Sequence, residues 1–298
     1  MVERPPPVTP EPRRPGSSHL LPIIVGVLVG AAAIAVAVVL IRDGSAEGEV
    51  AQAPATTRAE PVLRIIFPEG FTREQMSDRI REVNSIAETE RGVTPMLSPE
   101  EYLVETRRSS LPKELGSKRR RSLEGFLFPA TYEFTEKTTS KGLVDLQLAA
   151  FERAWDRIDL AAAERRNLTP YDVLIIASMI EGEVRVPKER RLVSAVIYNR
   201  LHAGMPLGID ATLRYGLGIP PSESLKQSDL ETDSPYNTRL NPGLPPTPIN
   251  NPGLAAMRAA AKPAQVDFLY YARKKDCKSH FFTASFAEFE TFLAGPRC

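Results

Sequence analysis

The sequence predicts an α+β protein with an N-terminal transmembrane helix, a small α/β module, and then a mixed, helix-rich domain with short strands. Three observations carry this. Residues 20–41, LLPIIVGVLVGAAAIAVAVVLI, form an unbroken apolar run. One short apolar strand, VLRIIF at 62–67, is followed by helical rather than alternating periodicity. From Leu143 onward apolar residues recur at helical spacing, interrupted by a long stretch rich in Gly, Pro, Asn and Ser.

The apolar run has 22 uncharged residues. As a helix it spans about 33 Å at about 1.5 Å per residue, enough to cross the hydrocarbon core. A cleaved signal peptide has a shorter apolar region, about 7–15 residues. Pro54 directly after the triplet Ala51-Gln52-Ala53 also disfavours cleavage, so the run reads as an uncleaved anchor. Arg4, Arg13 and Arg14 precede it, and Arg42 and Arg58 follow. That bias slightly favours a cytoplasmic N-terminus, with the rest of the chain on the other side of the membrane. Residues 1–19 are proline-rich and read as a disordered cytoplasmic tail, and 42–60 as a small, polar linker.

Residues 61–122 read as the small module. After the strand, Thr72 with Gln75 three positions on forms a capping-box pattern, and Met76, Ile80 and Val83 follow on one helical face. Ser98-Pro99-Glu100-Glu101 starts a second helix with proline at its first position. Residues 123–298 read as the larger domain. LEGFLFPATYEF, 123–134, reads as strand broken at Pro129, and a long helix follows with Leu143, Leu146, Phe151, Trp155 and Ile158 as its stripe. Thr169-Pro170-Tyr171-Asp172 combines a cap, a proline at N1 and an acid at N3, so a helix runs from there toward Pro187. Val193, Ile197 and Leu201 mark another helix, stopped at Gly204. Residues 204–253 read as irregular, and so long an irregular stretch inside a domain signals function. A helix from Pro252, the strand pair FLYYAR and HFFTA, and a helix capped by Ser285 complete the chain.

Composition excludes several classes. The 298 residues are 42% hydrophobic, with 38 Lys and Arg against 37 Asp and Glu. So balanced a chain gives no electrostatic reason to bind nucleic acid. The tetrad Lys118-Arg119-Arg120-Arg121 is a local exception and reads as a solvated loop. Two cysteines, Cys277 and Cys298, are too few for a metal framework or a disulfide scaffold, although outside the membrane they could pair.

LIIASMIEGEV, 174–184, places Glu181 and Glu183 directly after an apolar run, where an unpaired carboxylate is costly. Val173, Ile176, Ala177, Ile180 and Val184 form one stripe, and the two glutamates lie at its opposite edges, about 160° apart at about 100° per residue. They cannot act as a pair on one face. The histidines, His19, His202 and His280, give them no metal-binding company. Glu181 and Arg185 stand in the favourable order for a helical ion pair, and spacing alone favours that reading over a catalytic acid.

The wider pattern changes the balance. VIYNRL (196–201), GIDATLRYGLG (208–218), SPYNTR (234–239), GLPPTPINNPG (243–253), AAAKPA (259–264) and LYYARKKDCKSHFF (269–282) follow in this order. The succession resembles the YceG-like, or MltG, family of endolytic murein transglycosylases over roughly 62–285, and LEGFLFPATYEF belongs to it. The resemblance implies that the module at 61–122 is LysM-like, that 123–298 is a catalytic domain, and that Glu181 is the catalytic residue. Three positions depart from the family pattern. Gly182 stands where a basic residue is usual, the DPT triplet is Asp210-Ala211-Thr212, and the SPYNTY run ends in Arg239.

Protonating a glycosidic oxygen near neutral pH requires a carboxylic acid of raised pKa, and an apolar wall supplies that. Glu181 at the edge of an Ile/Ala/Met-rich helix suits the task. A hydrolase adds a second carboxylate, for which Asp210 is the candidate, whereas a lytic transglycosylase lets the sugar's own 6-hydroxyl close an anhydro ring. Asn199, Asp210, Tyr236 and Asn237 are the expected substrate contacts, since amides and aromatic rings offer directional donors and a flat apolar face. His280 reads as a packed or edge residue. No cofactor and no metal is expected. Expected partners are peptidoglycan glycan strands, the membrane through 20–41, and peptidoglycan synthases. The rival reading is a non-catalytic glycan-binding scaffold.

Overall fold

In the computed structural model, residues 61–108, 122–220 and 222–296 are described. The expected tail, membrane helix and linker, the basic tetrad and Cys298 lie outside them. Among the described residues no helix is long and apolar enough to cross a membrane.

Strand β1 (Leu63–Ile66) alternates buried and exposed residues, as a strand with one face on a core must. The turn Pro68–Gly70 then leads into α1 (Arg73–Arg91), whose N-cap is the expected Thr72: its hydroxyl accepts the Gln75 amide, and the Gln75 side chain accepts the Thr72 amide. Gly92, left-handed at φ 61°, ends the helix. Helix α2 (Pro99–Arg108) follows. Of the LEGFLFPATYEF segment only Thr131–Phe134 is strand, β2, and it pairs antiparallel with β1 in the register Leu63↔Phe134 to Ile66↔Thr131. Among the described residues, 61–134 thus run β-α-α-β. The strand β2 lies beyond the boundary expected at residue 122, and among the described residues it is the strand that satisfies the β1 ladder.

The rest is helical apart from one hairpin. Helix α3 (Ser140–Trp155) buries Leu143, Phe151 and Trp155, but Leu146 is 46% exposed and Ile158 lies past the helix end, so two of the five expected stripe residues fall outside its buried face. A short α4 (Ala161–Glu164) precedes α5 (Pro170–Glu183), and a 3-10 turn (Pro187–Glu189) leads into α6 (Arg190–His202). The stretch expected to be irregular contains α7 (Asp210–Leu217) and α8 (Gln227–Leu230). Then come α9 (Leu254–Ala261), the antiparallel hairpin β3 (Tyr270–Arg273) and β4 (His280–Thr283), and α10 (Phe286–Ala294).

Helix α5 is the centre of the molecule. Every residue from Val173 to Ile180 is buried, not merely one stripe, because α9, α6 and α7 pack around it. A helix apolar on all sides belongs inside a core. The same core continues through Leu63, Ile65 and Met76 of the module, so module and helical domain share one apolar interior. Phe151 is fully buried, with Phe126 at 5.2 Å and Trp155 stacked at 5.6 Å. Replacing Phe151 with Ala should cost about 3–5 kcal/mol through lost contacts and the cavity left behind, read as a lowered denaturant midpoint; a loss below about 1 kcal/mol would show that α3 is not locked into this core.

Candidate active site

The C-terminal end of α5 emerges from the core into an open cleft of about 1490 Å³. That exceeds the roughly 300–1,000 Å³ of a small-molecule pocket and suits a segment of a polymer. One wall is the turn at Glu69–Phe71 and the start of α1, the floor is Glu181-Gly182-Glu183, and the other wall is α7 with the β3–β4 hairpin.

The Thr169–Asp172 box starts α5: Asp172 accepts the Thr169 amide at 2.8 Å and Thr169 Oγ1 accepts the Asp172 amide at 3.1 Å. At its other end the helix stops at Glu183, so Arg185 lies beyond the last turn and the expected helical ion pair with Glu181 loses its geometry. Glu181 Oε2 instead accepts the Gly253 amide at 3.1 Å. Burial raises the Glu181 pKa above the ordinary carboxylate value. The Gly253 N–H opposes that rise, the neighbouring charge of Glu69 adds to it, and Arg190 and Arg185 oppose it. Glu183 faces the other wall. Its pKa is also raised by burial and by Asp210, against the pull of Arg273, the Ala211 amide and His280. The two acids serve different surroundings, as their angular separation requires.

The loop 249–253 is strapped to α5. Ser178 Oγ accepts the Ile249 amide at 3.0 Å, and Asn250 Nδ2 donates to the Ser178 carbonyl at 2.9 Å. Asn250 lines the cleft, and its buried Oδ1 has no hydrogen-bond partner among the described residues.

Of the four expected substrate contacts, Asp210 and Tyr236 line the cleft. Asp210 opens α7 and pairs with Arg239. Tyr236 packs edge-on to Tyr215 at 5.2 Å, and its hydroxyl bonds Thr247 at 2.7 Å. Asn199 and Asn237 are placed elsewhere. Asn199 donates to the Val266 and Phe268 carbonyls, both at 2.9 Å, and buried Asn237 donates to Leu230 and Thr232, so both amides brace loops. His280 is buried and lines the cleft, its Nδ1 2.8 Å from buried Glu189. No group of three His, Cys, Asp or Glu among the described residues is placed to hold a metal ion.

Two carboxylates escaped sequence reasoning. Glu69 arrives from the module turn, far from Glu181 in the chain, with no local pattern to mark it. Glu124 is fully buried beneath the cleft wall and accepts from the Asn251 side chain at 2.8 Å, the Arg73 amide at 3.3 Å and the Tyr215 hydroxyl at 3.3 Å. Its sequence setting, Leu123-Glu124-Gly125-Phe126, an acid between apolar residues, was the available signal.

Fold and site together define an α+β protein that presents two glutamic acids of raised pKa, Glu181 and Glu183, in a polymer-sized cleft. The profile of the YceG-like family matches residues 40–294, and the chain belongs to that family. An endolytic murein transglycosylase of Streptococcus pneumoniae (strain ATCC BAA-255 / R6) is 33% identical over 227 residues, 71% of this chain and 41% of the relative. One from Bacillus subtilis (strain 168) is 38% identical over 156 residues, 52% of this chain and 42% of the relative. The matched region thus spans about two fifths of these relatives' length. The 2.6 Å crystal structure of a protein described as YceG-like from Listeria monocytogenes superposes with a TM-score of 0.65 at 27% identity, covering 76% of this chain and 75% of that one.

Burial, with the charge of Glu74 adding and Arg73 and Tyr215 opposing, pushes Glu124 up to about 8 from an ordinary 4.5. The folded protein therefore holds a proton that the unfolded chain releases near pH 4.5. The associated stability is full below that pH and is lost as pH rises through about 8. Glu124→Gln keeps an acceptor for Asn251 and has no proton to lose. Urea unfolding from pH 5 to 9 should show a shallower loss of stability in this variant than in the wild type, and equal slopes would exclude Glu124 as the titrating group.

Proposed function

We propose that this protein is a membrane-anchored endolytic peptidoglycan transglycosylase. It cleaves the MurNAc–GlcNAc bond within glycan strands without water and leaves 1,6-anhydro-MurNAc ends. The observation that carries the reading is Glu181: an acid of raised pKa at the exposed end of an otherwise buried helix, on the floor of a polymer-sized cleft. The chain's family and the printed names of its relatives agree with it.

In this reading the Glu181 proton passes to the glycosidic oxygen as the C1–O bond breaks. The MurNAc 6-hydroxyl oxygen then bonds to C1 and returns its proton to Glu181, which is restored. Asp210 and Tyr236 contact the sugars, the tyrosine ring lying against an apolar sugar face. The β-α-α-β module acts as a LysM-like glycan grip. Residues 20–41 tether the enzyme to the plasma membrane, and peptidoglycan synthases are the partners its product chemistry suits, since cutting nascent strands limits their length.

Hydrolysis is the second reading, favoured by the Glu69 carboxylate near Glu181, which could activate water. Digestion of purified peptidoglycan by the full chain in detergent separates the two. Transglycosylation gives ends lighter by one water than hydrolysed ends, and none carries isotopically heavy solvent oxygen. Glu181→Gln keeps the side-chain shape but cannot donate the proton, so turnover should fall by at least about 10²- to 10⁴-fold. Near-wild-type turnover in that variant would remove Glu181 from the mechanism, and a wild type that binds but never cuts would make the protein a scaffold.

A further inference from the structure

Glu69 belongs to the N-terminal module, yet it sits against the residue that holds the catalytic acid. Gly253 gives its amide to Glu181 Oε2 at 3.1 Å. On the same glycine, a Cβ would lie 1.8 Å from Glu69 Oε1 and 2.1 Å from its carboxyl carbon. The next residue, Gly70, closes over the acid from the same side: a Cβ there would meet Glu181 Cγ at 3.5 Å. Gly70 is left-handed at φ 82°, a conformation that fits glycine, so the turn aims the Glu69 side chain by backbone geometry. The Gly70 amide donates to the Asn251 carbonyl at 2.9 Å and the Asn251 amide to the Phe71 carbonyl at 3.0 Å, bolting the turn to the 249–253 loop. Glu69 is exposed and makes no ion pair among those of the described residues, so nothing fixes it there except its place on Gly253.

We propose that Glu69 is a positioning residue for Glu181: carried in on the turn at 68–70 and lodged against Gly253, its carboxylate sets a like charge beside the catalytic acid. This rests on Glu181 being the acid. The electrostatics run the same way, since the Glu69 charge raises the Glu181 pKa while Arg185, just past α5, and Arg190, at the start of α6, lower it. Glu183 and Asp210 face each other on the far wall. Among the charges that act most on Glu181, Glu69 is the acid. A like charge destabilises the ionised acid, so the Glu69 charge moves the alkaline limit of activity to higher pH.

The test is the pH dependence of kcat/KM on purified peptidoglycan with the full chain in detergent, for wild type, Glu69→Gln, Gly253→Ala and Glu181→Gln. Glu69→Gln removes the charge from an exposed side chain and leaves the fold untouched. Gly253→Ala keeps the charge but puts a methyl group where Glu69 lies, on a backbone of ordinary φ, and retains the amide bond to Glu181. Both should move the alkaline limb toward acid, lowering the rate several-fold on that side and sparing the acid side. A Glu69→Gln profile that superimposes on the wild type, or that drops equally at every pH, overturns the proposal; the second outcome would make Glu69 a substrate contact or a second catalytic carboxylate. Activity surviving in Glu181→Gln would instead overturn the assignment of the acid itself, so the two failures are told apart in one experiment.

Discussion

Asn251 is the knot on which the site depends. Its side chain is fully buried and fully bonded: Oδ1 accepts the Gly125 and Leu127 amides, both at 2.9 Å, and Nδ2 donates to the Phe71 carbonyl at 2.9 Å and to Glu124 at 2.8 Å. Its backbone adds the two bonds to Gly70 and Phe71. Three distant segments meet there: the module turn, the LEGFLF stretch and the loop before α9. A buried amide is costly unless every donor and acceptor finds a partner. Satisfying this one fixes all three segments at once, and with them the wall and ceiling over Glu181.

The same constraint explains why acids are tolerated at the end of α5. The C-terminal end of a helix carries partial negative charge, which disfavours carboxylates, and the last turn of α5 contains no basic residue to offset it. Two glutamates in that turn therefore stand in unfavourable surroundings, and both are shifted toward their protonated forms. What differs is the neighbourhood each is given. Glu181 receives a backbone N–H from the loop that Asn251 holds, whereas Glu183 takes its backbone N–H from Ala211 and lies in the field of Asp210, with Arg273 and His280 opposing. Division of labour between the two acids follows from which wall each one faces.

How much of this was legible depends on the range of the interaction. The Thr72–Gln75 and Thr169–Asp172 boxes were readable because both partners lie within four residues, and the helices begin where those boxes say. The emergence of Glu181 and Glu183 on opposite sides was readable from helical period alone. The all-round burial of α5 was not, since Ser178 and Gly182 interrupt the apolar pattern and only their bonds and contacts with the 249–253 loop and α7 explain them. Asn199 and Asn237 looked like sugar ligands because an amide's chemistry is the same whether it faces a substrate or a loop carbonyl. Glu69 left no trace in local sequence; the approach of residues 69 and 253 exists only after folding.

The three departures from the family pattern, scattered over 182, 211 and 239, converge on one corner of the cleft. A Cβ at Gly182 would lie 3.2 Å from the Ala211 Cβ, tighter than ordinary packing, so the bare glycine admits the first turn of α7 against the end of α5. That approach brings Asp210 into the field of Glu183, concentrating negative charge where α5 ends. A basic side chain at 182, usual in the family the sequence resembles, would offer a cation at this corner. Here Arg239 offers one, reaching Asp210 from the neighbouring loop. The pair is half-exposed, so its contribution to stability is modest; its consequence is placement, since it fixes the Asp210 carboxylate at the cleft edge. The three positions are thus linked through space: the bare backbone at 182 leaves room for Ala211 at the start of α7, and the neighbouring Asp210 is met by Arg239.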